Sequence, residues 1–226
     1  MKPFIFAASL LLTATCAHAQ QTKPLAVINV PLLADAPVLF APRGWKVEKT
    51  INGDLNRDKV PDAALVLVEN KAAKDKNGYA TERRRALVVL LRTGKGWTRV
   101  GFNNSLLLGT SDGGAFFGVM ETPVDISILK GVLLIDQENG SREVTQTTHK
   151  FRYDAAQKRV FLIGAENVDR DRATGNVTTV SINYLTGVQI KRTFNIEKDG
   201  SKVNRSRVSR KLRPLEWIKV DERYSG

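Results

Sequence analysis

Cysteine and histidine are nearly missing from this chain. The one cysteine is Cys16, and the two histidines are His18 and His149. Cys16 and His18 both stand in a leader-like N-terminus, so the rest of the chain has no thiol and a single imidazole. That excludes a disulfide framework and a thiol nucleophile. It also argues against zinc, whose sites gather several His or Cys side chains. Ser–His–Asp chemistry would have to run through His149, and no G-x-S-x-G elbow supports it. Walker and Rossmann glycine patterns are absent too. Beyond the leader no apolar run approaches the roughly 18 residues that mark a spanning helix. No segment repeats with the period of a propeller blade.

The N-terminus reads "MKPFIFAASLLLTATCAHAQ". Lys2 supplies a basic start, Phe4 to Leu12 an apolar core, and Ala17-His18-Ala19 an A-x-A cleavage site. Cleavage after Ala19 and export to the periplasm or the medium are the expectation. A lipoprotein acylated at Cys16 fits less well, because Thr15 stands where such a signal carries Gly or Ala. The 207 residues after Ala19 suffice for one sizeable core without disulfides. The formal charge is +12, and loss of Lys2 lowers it by one. A balance this basic speaks to anionic partners rather than to fold.

Residues 20–43 hold Pro24, Pro31, Pro37 and Pro42 and read as an extended lead-in able to add an edge strand. From residue 44 to 226 short β runs alternate with turns, which predicts one all-β domain. "WKVEKTI" (45–51) alternates, with Trp45, Val47 and Lys49 on one side. "AALVLVE" (63–69) and "ALVVLLR" (86–92) are continuous apolar runs, as strands buried on both faces should be. Similar runs fall at 97–103, on both sides of Lys130-Gly131, and at 142–153, 159–171, 178–186 and 187–196. "KDGSK" (198–202) reads as a hairpin turn centred on Asp199-Gly200. About ten to twelve strands and little helix follow. Short connections make the architecture an antiparallel meander: a twisted sheet, a two-sheet sandwich or a partial propeller-like array.

"GDLNRDKVPDAALVLV" (53–68) carries the most specific pattern. Asp54, Asn56 and Asp58 stand at positions 1, 3 and 5, the Val60 carbonyl at 7 and Asp62 at 9. Alternate oxygen donors of this kind can wrap a calcium ion, which takes six to eight oxygens. The spacing resembles the strand–loop–strand of FG-GAP and VCBS repeats. The chain as a whole looks like a group of secreted bacterial proteins with a single "GDLNGDGxPDAALVL" segment. Their Gly-Gly-aromatic and "LIGAE…TG…NYLTG" stretches match "DGGAFFG" (112–118) and 161–187 here. The resemblance implies export, a β fold and a calcium-type loop. It implies no activity. Arg57 and Lys59 replace the glycines usual at positions 4 and 6. Three readings stay open: a calcium loop, a loop whose own cations have taken the ion's place, or a simple Asx turn.

Other candidates are weaker. Asp169 and Asp171 in "DRDRATGN" share a strand face, as hydrolytic acids or as a solvated hairpin end. The glycines around Phe116 and Phe117 suit a sharp bend or a groove floored by those rings. Nine basic residues fall between 191 and 213, among them Arg192, Lys202, Arg205, Arg207, Arg210, Lys211 and Arg213. They read as a positive edge strand or as contact with an acidic protein or an anionic envelope glycan or lipid. Arg83-Arg84-Arg85 could extend that surface. No aromatics are interleaved with these cations, so nucleic acid is not the expected partner. The function expected first is non-enzymatic binding on a β scaffold. A cell-wall or glycan hydrolase using Asp54, Asp58, Asp169 or Asp171 is the first alternative, and a structural envelope subunit the second.

Overall fold

Two kinds of β segment occur in the chain, continuously buried and alternating, and each kind has its own place. The structure is a computed structural model that describes residues 24–115 and 121–221. The leader with Ala19, and Phe116 and Phe117, lie outside the described residues. Strands β1 (Leu33–Ala34), β2 (Trp45–Gly53), β3 (Asp62–Glu69), β4 (Arg85–Thr93) and β5 (Gly96–Asn103) form one antiparallel sheet, in the order β1-β5-β4-β3-β2. Strands β6 (Val124–Leu129), β7 (Val132–Gly140), β8 (Glu143–Asp154), β9 (Arg159–Asp171), β10 (Asn176–Asn183), β11 (Val188–Asn195) and β12 (Lys198–Arg207) run as an unbroken meander in a second sheet. A short β13 (Arg213–Pro214) returns to pair with β9. Three single 3₁₀ turns are the helical content of the described residues. The expected all-β antiparallel meander is therefore the observed architecture, as two sheets rather than a closed barrel.

The continuous apolar strands are those with two covered faces. Every residue of β3 is buried. Its Ala64 and Val66, with Leu87 and Val89 of β4, meet Leu133, Ile135, Phe151 and Leu162 of the second sheet. Its Leu65 and Leu67, with Val88 and Leu90, face the opposite way. There the proline-rich lead-in covers them with Leu25, Val30 and Phe40. Burying one such side chain contributes about 1.5–3 kcal/mol, so the lead-in is part of the core rather than a tail. β1 adds its two residues to the β5 edge, at Leu33↔Thr98 and Ala34↔Trp97.

Two expectations shift. The register of β2 against β3 slips between Val47 and Lys49, which leaves Glu48 as an extra residue. Trp45 and Val47 stay on the lead-in side, while Lys49 remains exposed and donates across to the Val124 carbonyl at 2.7 Å. The simple alternation through Lys49 therefore fails at a β-bulge. The last hairpin turns at Ile196-Glu197, two residues before "DGS". Gly200 keeps its positive φ of 94°, at the register irregularity between β11 and β12 rather than at the turn.

Candidate functional site

The 54–62 loop connects β2 to β3 and sits against the β6–β7 hairpin. Gly53 places it, since a Cβ there would lie 2.5 Å from Ile128 Cβ. Asp54 accepts the amides of Asp58 and Lys59 at 3.1 and 2.9 Å. Asn56 Oδ1 accepts the Asp58 amide at 3.0 Å, and Asp58 accepts the Val60 amide at 2.7 Å. Arg57 and Lys59 both adopt left-handed backbone, at φ 67° and 70°. The chain thus makes the turns of a metal loop without the glycines that usually make them. Arg57 turns its guanidinium onto the Lys130 carbonyl at 3.0 Å and packs over Gly131.

Asp62 does something different. It is fully buried. Its Oδ2 accepts the Leu55 and Asn56 amides at 2.8 and 3.3 Å, and its Oδ1 accepts the Arg92 amide at 2.9 Å. Burial pushes its carboxyl upward, and these three amides pull it back. Asp62 therefore ties the loop to β4 and faces the backbone, not the space between Asp54 and Asp58. Among the described residues no three His, Cys, Asp or Glu side chains gather closely enough to hold a metal. A calcium ion takes six to eight oxygens, and here the Asp54, Asn56 and Asp58 side-chain oxygens are engaged by backbone amides of the loop itself.

A polar cleft opens at the far end of the second sheet. It measures about 480 Å³ and is lined by Asn139, Thr145, Asp169, Asp171, Asn176 and Thr178, among others. Register explains the lining: Thr145 and Thr178 both lie opposite Asp169 across the sheet. Asp169 accepts the Thr145 hydroxyl at 2.6 Å. Asp171 is held down to about 2, chiefly by its hydrogen bonds from Arg142. A carboxyl so acidic stays ionised near neutrality and cannot serve there as a general acid. The Asp54–Asp62 loop adjoins the Lys130-Gly131 turn, whereas this cleft includes Gly140 at the other end of β7. β7 spans the nine residues between them, about 27 Å at roughly 3.3 Å per residue, so the two acidic groups lie at opposite ends of that strand and not around one glycosidic bond.

Below the cleft the same sheet face buries polar Gln137, Thr147, His149, Asn167 and Gln189 beside apolar Ala165, Val180 and Ile182. Gln137 holds the Leu-rich crossing segment through the Leu108 amide and the Leu106 carbonyl. His149 stacks on Phe151 with ring centroids 6.0 Å apart, as a core residue. Asp169 and Asp171 of the cleft stand out in the sequence, but the rest of its lining and the buried polar residues below it do not. Their signal was there, in polar residues at every second position of "TQTTH" and "NVDRD".

The late basic residues divide. Arg192 lies opposite Val203, so Arg192, Val203, Arg205 and Arg207 share one face at the sheet edge. Lys202 and Asn204 point to the other face. Arg192 also covers the Phe194 ring at 5.2 Å. Arg210 and Lys211 lie in the segment after β12, where Arg210 packs over Gly187. Arg213 is drawn back to β9 and donates to the Trp217 carbonyl. The earlier triple-arginine run does not join this surface. Arg83 and Arg85 are buried, paired with Glu121 and Glu48, and Arg84 pairs with Glu69.

One more feature is visible only in the fold. Val27, Ile28, Leu32, Leu33, Val38 and Leu39 of the lead-in remain half-exposed or more, although their neighbours Leu25, Val30 and Phe40 are buried. Among the described residues no helix is long and apolar enough to cross a membrane. No protein-family model, curated protein or solved structure matches the chain.

Proposed function

We propose that the chain is an exported, non-enzymatic envelope protein that binds an acidic partner along the basic edge of its second sheet. One observation carries this reading. All ten residues of β12 are exposed, and Arg205 and Arg207 of that strand share a face with Arg192 of β11. The cations at the other arginine-rich site are paired with Glu48, Glu69 and Glu121, while these face solvent. Export rests on the leader-like N-terminus alone. The acidic loop acts in this reading as a metal-free clamp between β2, β4 and the β6–β7 hairpin.

Binding to polyglutamate resin tests the basic edge. Arg205→Ala/Arg207→Ala should elute at clearly lower salt than Lys74→Ala/Lys76→Ala, which removes the same charge from an exposed loop. Equal loss in both would mean only net charge matters and would overturn the reading.

A second reading, a structural subunit of an envelope complex, is supported by the exposed aliphatics of the lead-in. Where exposed apolar side chains join into one patch they mark protein or membrane contact. Val38→Asp/Leu39→Asp should then release the protein from a larger assembly in native-size fractionation, and an unchanged profile would count against it.

A further inference from the structure

We propose that β12 is a docking edge that takes up an acidic, extended polypeptide segment as an added strand. The proposal deepens the basic-edge reading and rests on it. Among the described residues β12 pairs with β11 alone, and its outer side carries no neighbour. Val208 donates to the Gly187 carbonyl at 3.1 Å, just past the last pair, Val188↔Arg207. Antiparallel alternation then directs the backbone groups of Ser206, Asn204 and Lys202 inward to β11. Those of Arg207, Arg205, Val203 and Ser201 point outward. Four residues in a row along the edge therefore offer an N–H and a C=O to a new strand.

The side chains beside these groups set the chemistry of the guest. On one face stand Arg205 and Arg207, with Ile190 and Val188 behind them on β11. Next toward the turn comes Val203, with Arg192 behind it, so Val203 and Ile190, 60% and 40% exposed, give apolar surface among the three arginines. On the other face stands Lys202. A guest strand would thus meet positive charge on both faces. It needs Asp or Glu at alternate positions opposite Arg205 and Arg207, and room for an apolar residue opposite Val203. Cross-strand pairs of opposite charge stabilise such an edge, and like charges directly opposite destabilise it.

The same charges argue against a second copy of the chain. β12 contains Lys198, Lys202, Arg205 and Arg207 against Asp199 alone. Two copies paired edge to edge would set cation against cation. A long edge with no proline and no cover is protected here by charge only. That device repels its own kind and leaves an acidic strand as the matched occupant. Strand addition of this type draws affinity from main-chain hydrogen bonds and selectivity from alternate side chains.

The experiment uses a fluorescein-labelled octapeptide alternating Thr and Glu, and measures anisotropy against the chain lacking residues 1–19. The expected result is saturable binding that weakens with salt. Arg205→Glu/Arg207→Glu should weaken it at least tenfold. Val203→Pro keeps every charge and removes one outward N–H without touching the β11 ladder. It should weaken binding about fivefold, and a Pro–Glu octapeptide of the same charge should bind as poorly. If Val203→Pro loses the native melt, Ser201→Pro serves in its place. Loss with the glutamate variant, but none with either proline variant or the Pro–Glu peptide, would overturn strand addition and leave the basic-edge reading standing. Undiminished binding by the glutamate variant would overturn both, and so would no binding by the unaltered chain.

Discussion

Within the 54–62 loop Asp62 is the residue that ties the loop to the rest of the fold. Three backbone amides, those of Leu55, Asn56 and Arg92, converge on a carboxylate with no exposed surface. Replacing it by Ala strands three donors, each costing about 1–3 kcal/mol when buried and unpaired. Asp62→Ala should therefore lower unfolding stability by about 3 kcal/mol or more in urea titration. Asp62→Asn should fall between, because its amide nitrogen would face the Arg92 N–H. Lys59 tests the other half of the loop. A non-glycine residue held at φ 70° costs about 1 kcal/mol. Lys59→Gly should raise the melting temperature by about 2–4 °C. Calcium in excess should leave the melt of the unaltered chain where chelator leaves it. An upward shift in calcium that Asp58→Ala abolishes would show that the loop does take the ion.

At the scale of elements, turns carry the meander. The β7–β8 connection is the tightest. Gly140 has φ 123°, and a Cβ on it would lie 2.0 Å from the Glu143 carbonyl oxygen. Gly114 of the crossing segment also packs against Gly140, where a Cβ would meet the Gly140 oxygen at 2.7 Å. Gly140→Ala should thus cost about 2–4 kcal/mol by combining left-handed strain with overlap. It should also loosen the polar cleft that Gly140 helps to line. Hydrogen exchange would show this as faster opening at the β7–β8 end than at the Lys130-Gly131 end. Most elements were legible in the sequence because their signals are local. The 159–171 strand was read with the bounds it has. The Glu48 bulge was not, because nothing within "WKVEKTI" requires an extra residue. Its cause is Arg85, thirty-seven residues later, whose guanidinium takes both Glu48 oxygens at 2.7 Å.

At the scale of the molecule, that same arginine joins the parts. Besides Glu48 of β2, Arg85 donates to the Leu108 and Thr122 carbonyls at 3.2 and 2.8 Å. It so pins both ends of the Gly-rich crossing between the two sheets. Arg85→Met leaves Glu48 charged and those carbonyls without their donor. The expected loss is about 3–5 kcal/mol, the cost of breaking a buried pair from one side. Glu48→Gln/Arg85→Met should lose less than Arg85→Met alone, since the stranded charge is gone. If the single variant proves neutral in denaturant titration, the crossing is held by its leucines and not by this ion pair.

What the sequence determined by itself was whatever rests on neighbours in the chain. Period-two patterns set the strands, and continuous apolar runs marked β3 and β4 as covered on both sides. Asx spacing set the 54–62 loop. The near-absence of Cys and His argued against thiol and zinc chemistry. Tertiary structure alone decided what each charge is for. "RRR" and "RSR" look alike as text. One run lies beside Glu48, Glu69 and Glu121 and is neutralised by them, while Arg205 and Arg207 stand on an exposed edge and form no ion pair among the described residues. The physical reason is that a cation's role depends on its nearest carboxylate and on the water it keeps. Both are fixed by contacts between residues distant in sequence, which no local pattern encodes.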